Sequence, residues 1–241
     1  MPAAGRLRVK ENMKILVIIP AFNEAENIKN VIKDLRAHFP RGNYAVINDG
    51  STDDTSAIAE SLDARVIDLP YNLGIGGAVQ TGFITARNEG FDLAVQFDGD
   101  GQHKAEEIEK ILAPVNEGAD IVIGSRFLDG DTYKMSFLRN IGSRVFSAVI
   151  SFICGTRITD TTSGFRVYGK KAIELFSSIY PEDYPEVEAL ILAHKKHLTI
   201  KEVPVEMRQR AGGKSSITPL RAVYYMIKVL LAVFVDLLKK Y

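Results

Sequence analysis

The sequence has one cysteine, no formal net charge and no run of about 18 uncharged apolar residues, the least that a membrane-spanning helix needs. The single Cys154 excludes an intramolecular disulfide and is typical of a reducing compartment. Because 30 basic and 30 acidic residues cancel, no overall positive field attracts nucleic acid, and we expect no such partner. The polar, basic residues 1–12 lack the apolar core of a secretory signal, so we expect a flexible extension there.

The first 125 residues alternate between strand-like and helix-like segments. Residues 14–19 form a continuous β-branched run typical of a strand buried on both faces, and further strands are predicted at 44–48, 64–69, 92–97 and 120–124. Apolar residues at helical spacing separate them, and we expect Asn23 and Glu24 to open the first helix. This alternation predicts a Rossmann-like α/β fold, a mostly parallel sheet flanked by helices.

The second half of the sequence is less regular. Residues 137–155 and 184–194 have helical patterns, residues 160–169 are rich in turn formers, and residues 198–207 are typical of a strand. Since no linker separates the halves, we predict one domain over residues 13–217, with an amphipathic helix over residues 218–241.

Polar clusters follow several of the predicted strands, and ligands bind off the carboxyl ends of strands in sheets of this kind. The most informative cluster is FDGDGQH at residues 97–103, where two carboxylates, an amide and an imidazole lie close together. Mg²⁺ and Mn²⁺ prefer such hard oxygen ligands, and substrate phosphates often complete their coordination. Gly99 lets a substrate approach the backbone. The alternative is an acidic surface turn.

Three other motifs fit poorly. A calcium loop starting at Asp98 would have His103 at its sixth position, where a glycine turn is needed. The segment GIGGAV has Val79 in place of the third glycine of a dinucleotide fingerprint, and GGKSS has Arg208 in place of the first glycine of a P-loop.

As a set, eight segments resemble the family-2 inverting glycosyltransferases of the GT-A fold, in particular the polyprenyl-phosphate sugar synthases. They occur in family order over roughly 200 residues: IPAFNEAENI (19–28), INDGSTDDT (47–55), NLGIGGAVQTG (72–82), FDGDGQH (97–103), GSRF (124–127), FLRNIGS (137–143), DTTSGFRVY (160–168) and EVPVEMRQRAGGKSS (202–216). One departure is Asn48, where the family usually has an aspartate, so the resemblance does not specify the nucleotide.

The resemblance implies roles for individual residues. It assigns the nucleotide sugar to Pro20, Phe22, Glu24, Asp49, Gly76, Asp98, Gly99 and Asp100. It assigns Mg²⁺ or Mn²⁺ to Asp98, Asp100 and Gln102, and the acceptor phosphate to Arg126, Arg139 and Ser143. The implied catalytic residues are Asp100, Arg126, Asp160, Arg210 and Lys214.

The implied reaction transfers one sugar, with inversion, from a UDP-hexose, a UDP-N-acetylhexosamine or GDP-mannose to undecaprenyl or dolichyl phosphate. A phosphate acceptor is already anionic near neutral pH and needs cations to hold it, whereas a hydroxyl acceptor needs a base. Asp160 and Glu188 are the candidate bases for that alternative, polysaccharide synthesis. A second alternative is a non-catalytic regulatory subunit.

A lipid acceptor implies a membrane surface. The apolar tail 222–238 is interrupted by Lys228 and Asp236, which favours an interfacial helix over a spanning one. A helix buried in the domain is the alternative. We therefore expect a peripheral protein at the cytoplasmic face of the membrane, with a small membrane partner protein and a homo-oligomer as further expectations.

Overall fold

The computed structural model describes residues 12–128, 137–181, 183–208, 228–229 and 231–235, with side chains in the helix that begins at residue 137 described from residue 144 onward. Seven strands form a single sheet: β1 Ile15–Ala21, β2 Asn43–Asn48, β3 Arg65–Asp68, β4 Leu93–Gln96, β5 Ile121–Ser125, β6 Arg166–Gly169 and β7 Ile200–Pro204. The order across the sheet is β3-β2-β1-β4-β6-β5-β7.

The sheet is mostly parallel, as predicted. Strand β1 pairs in parallel with β2 and β4, β2 with β3, and β5 with β7, whereas β6 runs antiparallel to both of its neighbours. The register sets Ala21 beside Asn48 and Ile18 beside Gln96. The carboxyl ends of β1, β2 and β4 are therefore level, and the residues that follow them meet at one edge.

Helices cover both faces of the sheet: α1 Ile28–His38, α2 Thr55–Glu60, α3 Gly74–Asn88, α4 Ile108–Leu112, α5 Phe137–Cys154, α6 Lys170–Ser178 and α7 Pro185–Lys195. One core joins α1, α2 and α4 to the sheet, and a second joins α3, α6 and α7 to its other face. Every residue of β1 is buried, which explains its uninterrupted apolar run.

A third apolar cluster joins α5 to α7 and to the helical residues near the C-terminus. Phe146, Ile150 and Cys154 of α5 pack with Val229 and Val233 in this cluster. Cys154 is thus a small buried apolar residue, and burial raises the pKa of its thiol to about 11. Within the described part of the chain, none of the helices combines the length and apolarity needed to cross a bilayer.

Two local predictions were wrong. The first helix starts at Ile28 instead of at Asn23 and Glu24, because those two residues are tied to the loop after β2. The Asn23 carboxamide oxygen accepts the Thr52 N–H at 2.9 Å, and the Glu24 N–H donates to Thr55 Oγ1 at 2.8 Å.

The turn-rich prediction for residues 160–169 missed strand β6. This strand is hard to recognise in the sequence because all four of its residues are buried, although two of them, Arg166 and Tyr168, carry polar groups. The helix α6 that follows it was not predicted either. The predicted domain boundaries remain predictions, and residues 1–11, 209–227 and 236–241 lie outside the described residues.

Candidate active site

A cleft of about 500 Å³ opens at the level ends of β1, β2 and β4, in front of the first turn of α3. Its lining combines acidic groups with small and apolar ones: Pro20, Ala21, Phe22, Glu24, Asp49, Asn72, Gly74, Ile75, Ala78, Asp98, Gly99 and Asp100. Seven of the eight residues predicted to bind a nucleotide sugar are in this set. The eighth, Gly76, is buried in the first turn of α3.

Asp49 fixes the entry into α3. Its Oδ1 accepts the Leu73 N–H at 2.7 Å, while the neighbouring Gly74 N–H donates to Asn72 Oδ1 at 3.0 Å. Burial raises the pKa of Asp49, and these two N–H groups counteract that rise. The carboxylate is therefore committed to the loop before α3 while it lines the cleft.

Asn48, the departure from the family pattern, forms its side-chain hydrogen bonds at the edge of the sheet. Its Nδ2 donates to Asp68 Oδ1 at 2.7 Å, and its oxygen accepts the Ser51 N–H at 3.3 Å. The side chain is buried and is not part of the cleft lining. Asn48 thus links the end of β2 to the end of β3.

The acidic loop after β4 follows the sheet edge and then turns. The Gly99 N–H donates to the Pro20 carbonyl at 3.2 Å, which continues the β1–β4 pairing into the cleft. A Cβ at Gly99 would lie 3.0 Å from that carbonyl oxygen, so a larger residue would crowd the backbone. Asp100 Oδ1 accepts the Gln102 N–H at 3.0 Å, and Gly101 supplies the turn with a φ of 76°.

This loop presents two carboxylates to the cleft, Asp98 and Asp100. Among the described residues, no three His, Cys, Asp or Glu side chains are grouped so that they could hold a metal ion by themselves. Gln102, two residues beyond Asp100, does not line the cleft. Two carboxylates and substrate phosphates, with an amide oxygen from Gln102, are nonetheless a donor set that suits Mg²⁺ or Mn²⁺, which seldom use all-protein cages. The residues present therefore fit a cation that binds together with a diphosphate.

His103 closes the acidic loop from behind. Its Nδ1 accepts the Asp98 N–H at 3.0 Å, so the ring proton is on Nε2, which lies 3.6 Å from Asp98 Oδ2. The ring stacks on Phe165 at a centroid distance of 4.8 Å and meets Phe97 edge-on. The pKa of His103 is lowered to about 4, mainly by burial and also by the charge of Arg126, while the charges of Asp100 and Asp160 act in the opposite direction. The imidazole is therefore neutral at neutral pH.

The segment before β6 forms a second wall around Asp98. A Cβ at Gly164 would lie 2.7 Å from Asp98 Oδ2 and 3.0 Å from its Oδ1, so only glycine leaves room for that carboxylate. The buried Arg166 donates to the Ser163 and Thr161 carbonyls at 2.7 and 3.0 Å. Burial raises the pKa of Asp98, whereas a Gln96 hydrogen bond and the charges of Arg126 and Arg166 lower it.

Arg126, at the end of β5, is held by Asp160. Its Nε and Nη2 donate to the two Asp160 oxygens at 2.7 Å each, and its backbone N–H adds a contact at 3.1 Å. Glu202 of β7 in turn accepts the N–H groups of Thr159 and Asp160 at 2.8 and 2.9 Å. Asp160 is fully buried and both of its oxygens accept from Arg126, an arrangement that orients a guanidinium.

Several predicted residues cannot be placed. Arg210 and Lys214 lie outside the described residues, and the side chains of Arg139 and Ser143, on the first turns of α5, are not described. Their assigned roles remain predictions.

The sequence interpretation also missed residues at this site. Asn72 and Ile75 line the cleft, and the glycine-led start of α3 was the available signal. Glu186, on the first turn of α7, is half-buried, and its pKa is raised mainly by burial and further by the charge of Asp98. A backbone N–H and Arg166 counteract that rise. Only the fold brings this carboxyl near the acidic loop.

Comparison with known proteins adds independent information. Residues 16–176 match the family model described as Glycosyl transferase family 2. A UDP-N-acetylglucosamine–dolichyl-phosphate N-acetylglucosaminyltransferase from Methanococcus voltae is 35% identical over 213 residues, covering 80% of this chain and 84% of the relative. A polyprenol monophosphomannose synthase from Mycolicibacterium smegmatis is 29% identical over 231 residues, covering 92% and 87%.

Solved structures support the fold. Glucosyl-3-phosphoglycerate synthase from Mycobacterium tuberculosis, in complex with phosphoglyceric acid, matches with a TM-score of 0.72 at 22% identity, covering 96% of this chain and 83% of that one. A complex of the same enzyme with Mn²⁺, UDP and glucosyl-3-phosphoglycerate matches with a TM-score of 0.71 at 20% identity, covering 98% and 85%.

The neutral His103 predicts a specific pH dependence of stability. Its pKa is about 4 in the fold and about 6.5 in the unfolded chain, so its contribution is complete above pH 6.5 and is lost as the pH falls towards 4. Between pH 7.5 and 4.5 we expect this group to reduce the free energy of unfolding by roughly 2–3 kcal/mol. Urea denaturation of the metal-free protein and of His103→Asn should show the wild type losing more stability over that interval. Parallel pH profiles for the two proteins would contradict this account of the ring.

Proposed function

Because this chain belongs to glycosyl transferase family 2, we propose that it transfers a sugar from a nucleoside diphosphate sugar to a polyprenyl phosphate, with inversion at the anomeric carbon. The observation that carries the proposal is the convergence of Glu24, Asp49, Asp98 and Asp100 on one cleft. Carboxylates and phosphates repel one another, and a divalent cation bound to both removes that repulsion. A diphosphate with a divalent cation is therefore the ligand that suits a cleft with so many carboxylates.

The choice of acceptor is supported by relatives across several groups. Besides the dolichyl-phosphate and polyprenol enzymes above, an undecaprenyl-phosphate mannosyltransferase from Micrococcus luteus is 31% identical, covering 86% of this chain and 88% of the relative. The sugar in these names is N-acetylglucosamine or mannose, whereas a polyprenyl phosphate acceptor is common to them. The sugar could be a hexose or an N-acetylhexosamine, carried by UDP or GDP.

In this proposal the nucleotide lies along the ends of β1 and β2, against Phe22 and Asp49, and the diphosphate lies at the acidic loop. Asp98, Asp100 and Gln102 would hold Mg²⁺ or Mn²⁺, which when bound supplies positive charge to the departing diphosphate. Gly99 keeps the backbone open to this close approach, and Gly164 leaves the room that the Asp98 carboxylate occupies. Arg210 and Lys214 would close over the donor.

An acceptor phosphate oxygen attacks the anomeric carbon while the bond from that carbon to the diphosphate oxygen breaks, which inverts the configuration. Arg126, Arg139 and Ser143 would hold the acceptor. The Asp160 contact supports this role for Arg126, because it fixes the plane of a guanidinium whose charge also lowers the pKa of Asp98. No base is needed, since a phosphate monoester is mostly ionised at neutral pH.

Hydroxyl transfer is the alternative, and one observation favours it: Glu186 is a carboxyl with a raised pKa near Asp98. The bases considered from the sequence are less suitable. Asp160 is committed to Arg126, and Glu188 is buried, with one carboxylate oxygen accepting the Tyr184 N–H at 3.2 Å. The intact acidic loop argues against a non-catalytic subunit.

A surface for membrane contact is available at α5 and the C-terminal helical residues. Phe152 is 89% exposed, and Leu231 and Phe234 are each 59% exposed, while Val229 and Val233 pack inward. This amphipathic arrangement suits a helix that rests on a bilayer. We propose a peripheral protein on the cytoplasmic side, where a lone cysteine stays reduced, with a membrane partner protein and homo-oligomer as open expectations.

Replacing Asp100 by alanine tests the donor site. We expect loss of transfer and of Mn²⁺-dependent nucleotide binding, because the variant lacks one of two anionic ligands. Binding of Mn²⁺ with UDP or GDP can be followed by electron paramagnetic resonance, and transfer with labelled nucleotide sugars and membranes. Near wild-type turnover with added Mg²⁺ or Mn²⁺ would refute the proposed role of the acidic loop.

Arginine and carboxyl variants separate the two acceptor classes. We expect Arg139→Ala to raise the acceptor KM about ten- to a hundredfold with an unchanged donor KM, since a charge-assisted contact to phosphate is lost. Glu186→Gln should be mild if no base is needed. Arg157→Ala, an exposed arginine beyond the end of α5, is the matched control. A folded but inactive Glu186→Gln beside an unaffected Arg139→Ala would instead establish a hydroxyl acceptor.

The exposed apolar face predicts membrane affinity. The double change Leu231→Ser and Phe234→Ser should weaken binding to phosphatidylglycerol-containing vesicles at least tenfold, because two apolar side chains no longer enter the bilayer. The fold should survive, since both side chains are exposed. Co-sedimentation measures the effect, with Ile84→Ser, a partly exposed position on α3, as the control. Equal binding by the control and the double variant would disprove the contact.

A further inference from the structure

The chain returns to the acidic loop after β7. An isolated antiparallel bridge joins His103 to Met207, and the Arg208 N–H donates to the Gln102 carbonyl at 2.7 Å. These contacts place the segment after β7 directly against the half of the loop that contains Gln102.

The Arg208 side chain extends this contact to α1. Its Nη1 donates to the His103 carbonyl and to Asp34 Oδ2, both at 2.9 Å, and its Nη2 donates to Asp34 Oδ1 at 3.1 Å. One guanidinium therefore bonds to the loop backbone and, in a two-pronged pair, to a helix. The Asp34 side chain is only 12% exposed, whereas that of Arg208 is 43% exposed, so solvent reaches the pair from the arginine side.

Asp34 also holds the far end of the loop. Its Oδ2 accepts the Ala105 N–H at 3.1 Å. Burial acts to raise the pKa of Asp34, but the Arg208 hydrogen bond and the Ala105 N–H keep it below its usual value. A neighbouring surface ion pair, Lys104 with Glu206 at 2.6 Å, also joins the acidic loop to the segment after β7.

We propose that Arg208 is a positioning residue for the metal and diphosphate site. Together with Asp34 it forms a clamp that fixes residues 102–105, and thereby holds Gln102 and the Asp100 turn in place. The clamp also fixes the point from which the chain departs towards Arg210 and Lys214, two and six residues further along the sequence. The role of the clamp in donor binding rests on the proposed function.

The chain offers a matched control for this clamp. Arg41 forms an equally two-pronged pair with Glu109, at 2.9 and 2.8 Å, and touches neither the acidic loop nor the cleft lining. Arg208→Ala and Arg41→Ala therefore each remove one arginine fork from a carboxylate, and only the first removes the loop anchor. Asp34→Asn keeps an acceptor for the Ala105 N–H while it removes the charge.

The first measurement is amide hydrogen exchange in the metal-free protein. The N–H groups of Asp98, Gln102 and Ala105 donate within the loop or to Asp34, so their exchange reports on local order. We expect Arg208→Ala to speed exchange in the peptide 98–105 about tenfold, with no change in peptides of β1. Arg41→Ala should leave both unchanged, and Asp34→Asn should have a smaller effect than Arg208→Ala.

The second measurement is Mn²⁺ binding in the presence of UDP or GDP. Arg208→Ala should weaken it about tenfold, and Arg208→Lys should restore it only in part because a point charge cannot reproduce the fork. Suppose that Arg208→Ala and Arg41→Ala show the same amide exchange in peptide 98–105 and the same Mn²⁺ affinity, while the wild type binds Mn²⁺ and transfers sugar. The clamp is then refuted and the proposed function stands. A wild type without transfer or Mn²⁺ binding refutes the proposed function, and the exchange data still decide whether Arg208 orders the loop.

Discussion

The central constraint in this molecule is the repulsion among carboxylates that share one cleft. Glu24, Asp49, Asp98 and Asp100 all line a space of about 500 Å³, and each is held by donors that belong to the protein. Glu24 accepts from the Asn27 amide at 2.7 Å, and Asp49 accepts the Leu73 N–H, just before α3, at 2.7 Å. The surrounding structure supplies the donors, cations and turns that offset this repulsion and hold the four carboxylates in place.

Much of this structure could be predicted from local sequence. The β-branched run of β1, the glycine-led α3 and the FDGDGQH loop each carry their own signal, and the level ends of parallel strands then bring them together. What local sequence could not show depends on distant partners. The polar groups of Arg166 and Tyr168 are unusual in a buried strand. Arg166 donates to the carbonyls of Thr161 and Ser163, and the Tyr168 hydroxyl donates to the Gln96 amide oxygen. Glu186 likewise has no motif around it.

The antiparallel strand β6 solves a geometric problem for the site. Parallel strands present only their carboxyl ends at the cleft, whereas an antiparallel strand between them presents its amino end there. The loop from Asp160 to Gly164 consequently reaches the cleft without a long connection, and it brings the partner of Arg126 and the glycine against Asp98. One reversed strand thus supplies groups that a purely parallel sheet would have to take from extended loops.

The contact between Asp34 and Arg208 joins residues 174 positions apart in the chain. On the ribosome the first helix is made early, but its partner is added only after the whole sheet has been synthesised. Contacts of such high sequence separation form late, because the entropy of closing the chain must be overcome first. The acidic loop of a nascent or truncated chain therefore lacks its anchor even when strands β1 to β4 have paired. Under the proposed function, the acidic loop is thus completed only at the end of biosynthesis, and a partly made chain would not yet sequester nucleotide sugar.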